Sequence, residues 1–275
     1  MCRIEKYFMP LVGLILCNKP SIFCVMEDTN FLILLFYYNR PRLVKNALES
    51  IVEMQYENYT VCFIDDSDIS DGENICRDFL PGNILKKFKF YTIGMSVDDK
   101  NKKGGSIFGK YANDAIRETE SDVILMLCDD DALSPTYLSE LDEFYKKNPN
   151  INWSYSYVKY FNPVFENYKS ADPDWGKVLN SKSRTQSLNS DIHPVNPTYR
   201  KDMSQVSIKR KCFFDYDVWF PFPKTSNLDA AIFSNFYKFL GFCYPTKIFG
   251  QCKAVHDDQL GVREVTGNFY NIGLT

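Results

Sequence analysis

The chain has 275 residues, 45% of them apolar and 24% charged, enough to bury one sizeable core at the upper end of single-domain length. A formal net charge of -3 supplies no basic field for holding a polyanion, which argues against nucleic-acid binding driven by phosphate contacts. Nine cysteines stand singly, without CxxC pairs or metal-ligand spacing, and this scatter fits a reducing, cytoplasmic compartment rather than a disulfide framework.

Tyr7 to Cys17 is an apolar run behind Arg3 and Lys6, the shape of a secretory leader. Asn18, Lys19 and Pro20 break it, well short of the roughly 20 apolar residues that a membrane helix needs, and no small-x-small cleavage site follows. Residues 1–30 read as an N-terminal extension, with Met26 a candidate start and a cleaved leader the alternative. No other stretch is apolar enough to cross a membrane, so a soluble protein is expected.

Phe31 to Tyr38 (FLILLFYY) is a continuous aromatic and branched run, as in a strand buried on both faces. Asn39 and Pro41 punctuate it, and Leu43, Ala47, Leu48, Ile51 and Met54 then recur at helical spacing. Tyr59 to Ile64 predicts a second strand that ends in Asp65, Asp66, Ser67 and Asp68; Ile75, Phe79 and Leu80 predict a short helix, and Lys89 to Ile93 a third strand. Ser106 opens a helix through Tyr111, Ala112, Ala115 and Ile116, and Asp122 to Cys128 is the clearest buried strand, closed by Asp129, Asp130 and Asp131. Ser134 as a cap and Pro135 in the first turn predict a helix with Leu138, Leu141 and Phe144 on one face.

Phe161 to Pro197 carries many Asn, Ser, Asp and Pro residues without periodicity, and it reads as loops over the site. Order returns at Val206 to Phe214 and in a helix from Leu228 to Leu240 that Gly241 ends. Strands alternating with helices argue for an α/β fold, a mostly parallel sheet with helices on both faces. Ligands of such sheets bind at the carboxyl ends of the strands.

Both acidic clusters fall at predicted strand ends. Several carboxylates repel one another unless a cation compensates, and hard oxygens in this position suit Mg²⁺ or Mn²⁺ bridging to phosphates. A divalent ion and a diphosphate are the natural occupants, against the plainer reading of aspartates that cap helices or solvate turns.

Four motifs in order resemble glycosyltransferase family 2: YNRP (Tyr38 to Pro41), FIDDSD (Phe63 to Asp68), GKYANDAI (Gly109 to Ile116) and LCDDDALSP (Leu127 to Pro135). The resemblance covers roughly Phe31 to Gly261 and implies a GT-A fold, Rossmann-like, that moves a sugar from a nucleotide-diphosphate donor to a hydroxyl acceptor with inversion. It implies that Asp66 meets the base, with Asp65 competing, and that Lys110 and Asn113 face the donor. A carboxylate there suits the imide N–H of uracil, which makes a uridine nucleotide one candidate donor. Aligning on Ser134 and Pro135 puts the ribose and metal contacts on Asp129 and Asp130, with Cys128 departing from the family's aspartate; a literal DxD gives Asp129 and Asp131. Asp130 is favoured for the metal. Residues 31–133 would bind the nucleotide sugar and residues 134–275 the acceptor, a glycan or another hydroxyl-bearing molecule.

Displacement at the anomeric carbon needs a base opposite the leaving group. The resemblance points to Asp229, at a helix start in SNLDAAIF, with helix-dipole stabilisation as its plainer role and Asp215 or Asp217 as substitutes. His256 in VHDDQLG is a candidate further ligand for the metal, and His193 a weaker one. Trp153, Tyr155, Tyr157, Tyr160 and Phe161 offer flat faces for sugar rings or plain strand packing. Gln205 and Lys209 to Lys211 could meet an anionic group or form a solvated basic turn. Two other functions share these features. A nucleotidyltransferase has strand-end aspartates but also a Gly-rich phosphate loop after the first strand, which is not evident here, and a non-catalytic glycan- or nucleotide-binding protein would keep the scaffold without turnover.

Overall fold

Continuous apolar runs can bury alternate residues on both faces of a sheet, and the front of the chain uses them so. In the computed structural model, which describes residues 27–105, 107–161, 190–198, 200–223 and 228–254, β1 (Phe31–Tyr37), β2 (Tyr59–Asp65), β3 (Phe88–Thr92) and β4 (Val123–Cys128) are parallel neighbours. Their order is β3-β2-β1-β4, with Leu35 level with Phe63 on one side and Leu127 on the other. Ile33, Leu35, Val61, Phe63 and Leu125 face one core; Leu32, Leu34, Cys62, Ile64 and Met126 face the other.

The first core is covered by α1 (Val44–Val52), α2 (Gly72–Phe79) and the short α3 (Gly82–Leu85). After α4 (Val97–Lys102), α5 (Phe108–Glu118) covers the second core through Phe108, Ala112, Ala115 and Ile116. α6 (Tyr137–Lys147) returns to the first face, while α7 (Lys211–Asp215) and α8 (Leu228–Leu240) pack on the second. Helices thus lie on both faces, as the alternation predicted, and Gly241 ends α8 at a φ of 69° that glycine adopts without strain. α3 and α4, of 4 and 6 residues, are too short to carry a helical periodicity.

The rest of the sheet is mixed. β7 (Val206–Lys209) runs antiparallel to β4 and to β6 (Trp153–Phe161), β8 (Tyr244–Ala254) is parallel to β6, and β5 (Asp131–Leu133) is antiparallel to β8. The full order is β3-β2-β1-β4-β7-β6-β8-β5, parallel for the greater part. β5 follows β4 after only Asp129 and Asp130, so Cys128 and Asp131 are at most about 11 Å apart along the chain. Four strand spacings in a flat sheet are about 19 Å, so the sheet must curl to bring its edge back beside β4.

Ser134, expected to cap α6, does something else. Its N–H donates to Gly250 O at 2.9 Å and its carbonyl accepts from Tyr137 at 3.0 Å, because the chain is still leaving β5 when it reaches this residue. β8 passes so close there that a Cβ on Gly250 would fall 2.3 Å from the buried Tyr137 ring. The apolar run at residues 7–17 and most of the irregular segment from Phe161 lie outside the described residues. Among the described residues no helix is long and apolar enough to cross a membrane.

Candidate functional site

Strand order reverses at β1, which has β2 on one side and β4 on the other, and a crevice opens beyond the carboxyl ends at such a point. Tyr37 and Tyr38 leave β1 in the middle of it. Tyr37 O accepts from Asp66 N at 3.0 Å, and Tyr38 N donates to Asp129 Oδ2 at 2.8 Å. One turn of backbone therefore holds the acidic ends of β2 and β4, two strand spacings or about 10 Å apart.

On the β2 side the two adjacent aspartates have different roles. Asp65 is fully buried and accepts from Ser67 N and Gly72 N, each at 2.8 Å. Gly72 lets α2 approach this closely, since a Cβ there would sit 2.5 Å from the Phe63 ring. Asp65, expected to compete for a nucleotide base, anchors the turn and the start of α2, with each carboxylate oxygen accepting from a backbone N–H. Asp66 keeps an edge toward the crevice, and the Lys100 ammonium lies 3.0 Å from its Oδ1 and donates to its carbonyl. Lys100 is wholly buried, 3.5 Å from Asp68 Oδ1 and 5.0 Å from the Tyr38 ring centre. Asn39, at a positive φ of 51° that asparagine tolerates, exchanges two 3.0 Å hydrogen bonds with Asp68. Burial, then Asp68 and Asp66, push the Tyr38 hydroxyl up to about 12, so it stays protonated.

On the β4 side, Arg40 Nη1 lies 2.9 Å from Asp129 Oδ1 and 3.3 Å from Asp130 Oδ2. Burial raises the Asp129 carboxyl above the usual carboxylate range, and Asp130 adds to this, while Arg40 and the Tyr38 N–H pull it down. Asp130 is partly open and Asp131 fully buried. A carboxylate oxygen from each, with Cys128 Sγ, fall within 4.8 Å of one another, a donor set and a spacing that suit a divalent cation.

The other expectations divide. Lys110 turns along its own helix to Asp114 at 2.6 Å and is half exposed. Asn113, expected to face the donor, is buried and clamps Phe220: it donates to Phe220 O and accepts from Phe220 N, each at 2.9 Å. Asp229 opens α8 and accepts from Met203 N at 3.3 Å. β7 pairs Ser207 with Leu125 in antiparallel register, so the chain before it, including Met203, runs past the carboxyl end of β4 and brings Asp229 to the same end of the sheet as Asp130. The same register sets Lys209 beside Val123, at the opposite end. Lys209 to Lys211 thus cannot close on a ligand at the strand ends; Arg210 instead caps the end of α5 through Ile116 O at 2.8 Å. Gln205 is buried against Ser156 O at 2.8 Å.

Trp153 and Tyr155 are core residues, with Trp153 packed on Phe233 and Phe236, so strand packing accounts for both; Tyr157 is half-buried beside Phe249. His193 and Asp215 are exposed, and Asp217 accepts from Trp219 Nε1 at 2.6 Å. His256 lies outside the described residues. Arg40 and Lys100 are the residues that sequence reasoning missed. Arg40 stood in YNRP without a role, and Lys100 lies in a run of charges, VDDKNKK, that carries no motif.

The family model for Glycosyl transferase family 2 matches residues 33–204. Among solved structures, S. aureus TarS is similar at 15% identity and a TM-score of 0.57, over 84% of this chain and 38% of that one. TarS 1-349 in complex with UDP-GlcNAc gives 16% identity and 0.60, over 82% and 59%. The same fragment in complex with UDP gives 15% and 0.59, over 84% and 62%. The chain thus spans well under half of that TarS chain, and at these identities the likeness is one of fold. No curated protein matches the chain.

Proposed function

The chain belongs to glycosyl transferase family 2, and from that premise we propose that it moves a sugar from a uridine diphosphate sugar to a hydroxyl of a glycan or another acceptor, inverting the anomeric centre with help from Mn²⁺ or Mg²⁺. The observation that carries this reading is the turn at Tyr37 and Tyr38, which binds the acidic ends of β2 and β4 into one crevice. A nucleotide needs a base contact and a diphosphate contact about that far apart. That TarS 1-349 takes UDP and UDP-GlcNAc favours uridine here.

Asp66 accepts the imide N–H of uracil, and the Lys100 ammonium, 3.0 Å from its Oδ1, holds that carboxylate in place. Asp129, fixed by the Tyr38 N–H and Arg40, sets the path of the turn that presents Asp130 and Asp131. Those two would hold the divalent ion, which supplies charge neutralisation where the β-phosphate leaves. Asp229 takes the acceptor's proton as the hydroxyl attacks. Residues 31–133 then serve the donor and residues 134–275 the acceptor.

A thermal-shift series with UDP, UDP-sugars and other nucleoside diphosphates, with and without Mn²⁺, tests the site, because a ligand selective for the folded state raises the melting temperature. A metal-dependent rise with UDP, followed by slow release of UDP from one UDP-sugar, is expected. No shift with any nucleotide would remove the donor site. A shift without release would leave a binding protein.

A further inference from the structure

We propose that Cys128 is itself a ligand of the divalent ion, so that the site prefers a cation that accepts sulfur, such as Mn²⁺, Co²⁺ or Cd²⁺, over Mg²⁺. This rests on the reading of the β4 end as the metal site. The geometry is that of a closed trio: Cys128 Sγ and one oxygen each of Asp130 and Asp131 lie within 4.8 Å of one another. Ligands on opposite sides of one ion, with metal–sulfur near 2.3 Å and metal–oxygen near 2.1 Å, are about 4.4 Å apart. Only one pair can lie opposite, and tetrahedral neighbours are about 3.5 Å apart, so side-chain rotations that close the trio by up to about 1 Å bring all three onto one cation.

The surrounding chain supports that arrangement. Cys128 is the last residue of β4, paired with Phe36, and Asp131 the first of β5, paired with Lys253. The thiol and one carboxylate thus come from strands on either side of the Asp129–Asp130 turn, so their positions are held by the sheet. Asp129, held by the Tyr38 N–H and the Arg40 guanidinium, is not one of the clustered donors; the same guanidinium lies 3.3 Å from Asp130 Oδ2, so a cation here replaces Arg40 as the partner of that oxygen. Cys62, Cys76, Cys212 and Cys243 are buried members of the two apolar cores. Cys128 belongs to neither core and is half-buried among carboxylates, a poor place for a small apolar side chain.

A thiolate is a soft donor that Mg²⁺ disfavours, whereas Mn²⁺ and especially Co²⁺ and Cd²⁺ accept it beside carboxylates. On binding, the thiol loses its proton to solvent, and Cys128 enters the coordination shell as an anion.

The test is titration of the full chain with Co²⁺ or Cd²⁺ alone, reading the sulfur-to-metal charge-transfer absorption in the near ultraviolet. The wild type should develop the band at one equivalent. Cys128→Ser should lose it and bind Cd²⁺ about tenfold more weakly, with Mg²⁺ affinity changed by no more than about twofold. Cys128→Asp should lose the band, keep a metal site and move its preference toward Mg²⁺, which separates a lost ligand from a damaged fold. Absence of the band in the wild type, or its survival in Cys128→Ser, overturns the proposal. The reading needs no nucleotide: a band without any UDP response would sink the proposed function and leave this inference standing, and a Mn²⁺-dependent UDP response without a band would do the reverse.

Discussion

From β3 to β4 the sheet is parallel and its β1, β2 and β4 strands are buried on both faces, whereas from β7 to β5 it is mixed and buries hydroxyls and amides between its strands. Tyr145 reaches up from α6 to Ser154 at 3.0 Å and Ser207 at 2.9 Å, and those two serines are 2.8 Å apart. Ser156 meets Thr246 at 3.0 Å, and Gln251 donates to Met126 O at 3.2 Å. In the parallel region polar groups collect at the strand ends, so stability and chemistry occupy different places. In the mixed region buried polar pairs help set the register, and each is costly to leave unmade. Substitutions at the β2 and β4 ends should therefore change rates without unfolding the chain, and substitutions inside the mixed region should do the opposite.

Asp130→Ala should have the largest effect: a fall in turnover of about 10³-fold, read as UDP release, with the melting temperature unchanged. A folded, active Asp130→Ala variant would end the metal assignment. Asp229→Asn comes next, with kcat lowered about 100-fold and donor KM within about twofold. If its donor KM rose as far as that of an Asp66 variant, the division between donor and acceptor residues would break, since Asp229 stands outside the parallel region.

Lys100→Met blurs the contrast, because it removes a buried charge from the parallel region itself. Urea unfolding should show a loss of about 2 kcal/mol, below the full cost of breaking a buried pair because Asp66 keeps some solvent, and UDP affinity should fall with it. A change in stability alone would make Lys100 a scaffold residue. Tyr145→Phe should cost about 1.5 kcal/mol, measured the same way, and leave UDP affinity as it was.

The contrast also explains what could be read from the sequence. Phe31–Tyr37, Tyr59–Asp65 and Val123–Cys128 stand out because a strand buried on both faces needs an unbroken apolar run. Their acidic ends follow from the topology of a parallel sheet. β8 runs through Pro245, Lys247 and Gly250, and its pairing depends on β6 and β5 rather than on a pattern of its own. Asn113 lies on a legible helix, but its partner Phe220 is 107 residues away, so the side chain's role cannot be seen locally. The burial of Lys100 likewise comes from Asp66, 34 residues earlier.

Asp142 lies on the seam between the two regions. It belongs to α6, yet it accepts from Thr29 N at 3.1 Å and from Thr29 Oγ1 at 2.7 Å, just ahead of β1, while Lys146 holds its other oxygen at 2.8 Å. Burial alone would raise this carboxyl, but the hydrogen bonds from Lys146 and Thr29 outweigh it and hold the group below its ordinary value. A folded-state value below the unfolded one, near 3.9, means that the contribution is complete above about pH 4 and is lost as pH falls through the folded value. Asp142→Asn should thus cost about 1 kcal/mol in urea unfolding near neutrality, and the gap from wild type should close as pH falls below the unfolded value and through the folded one. A gap that persisted in acid would mean that the side chain's shape, not its charge, joins α6 to the start of β1.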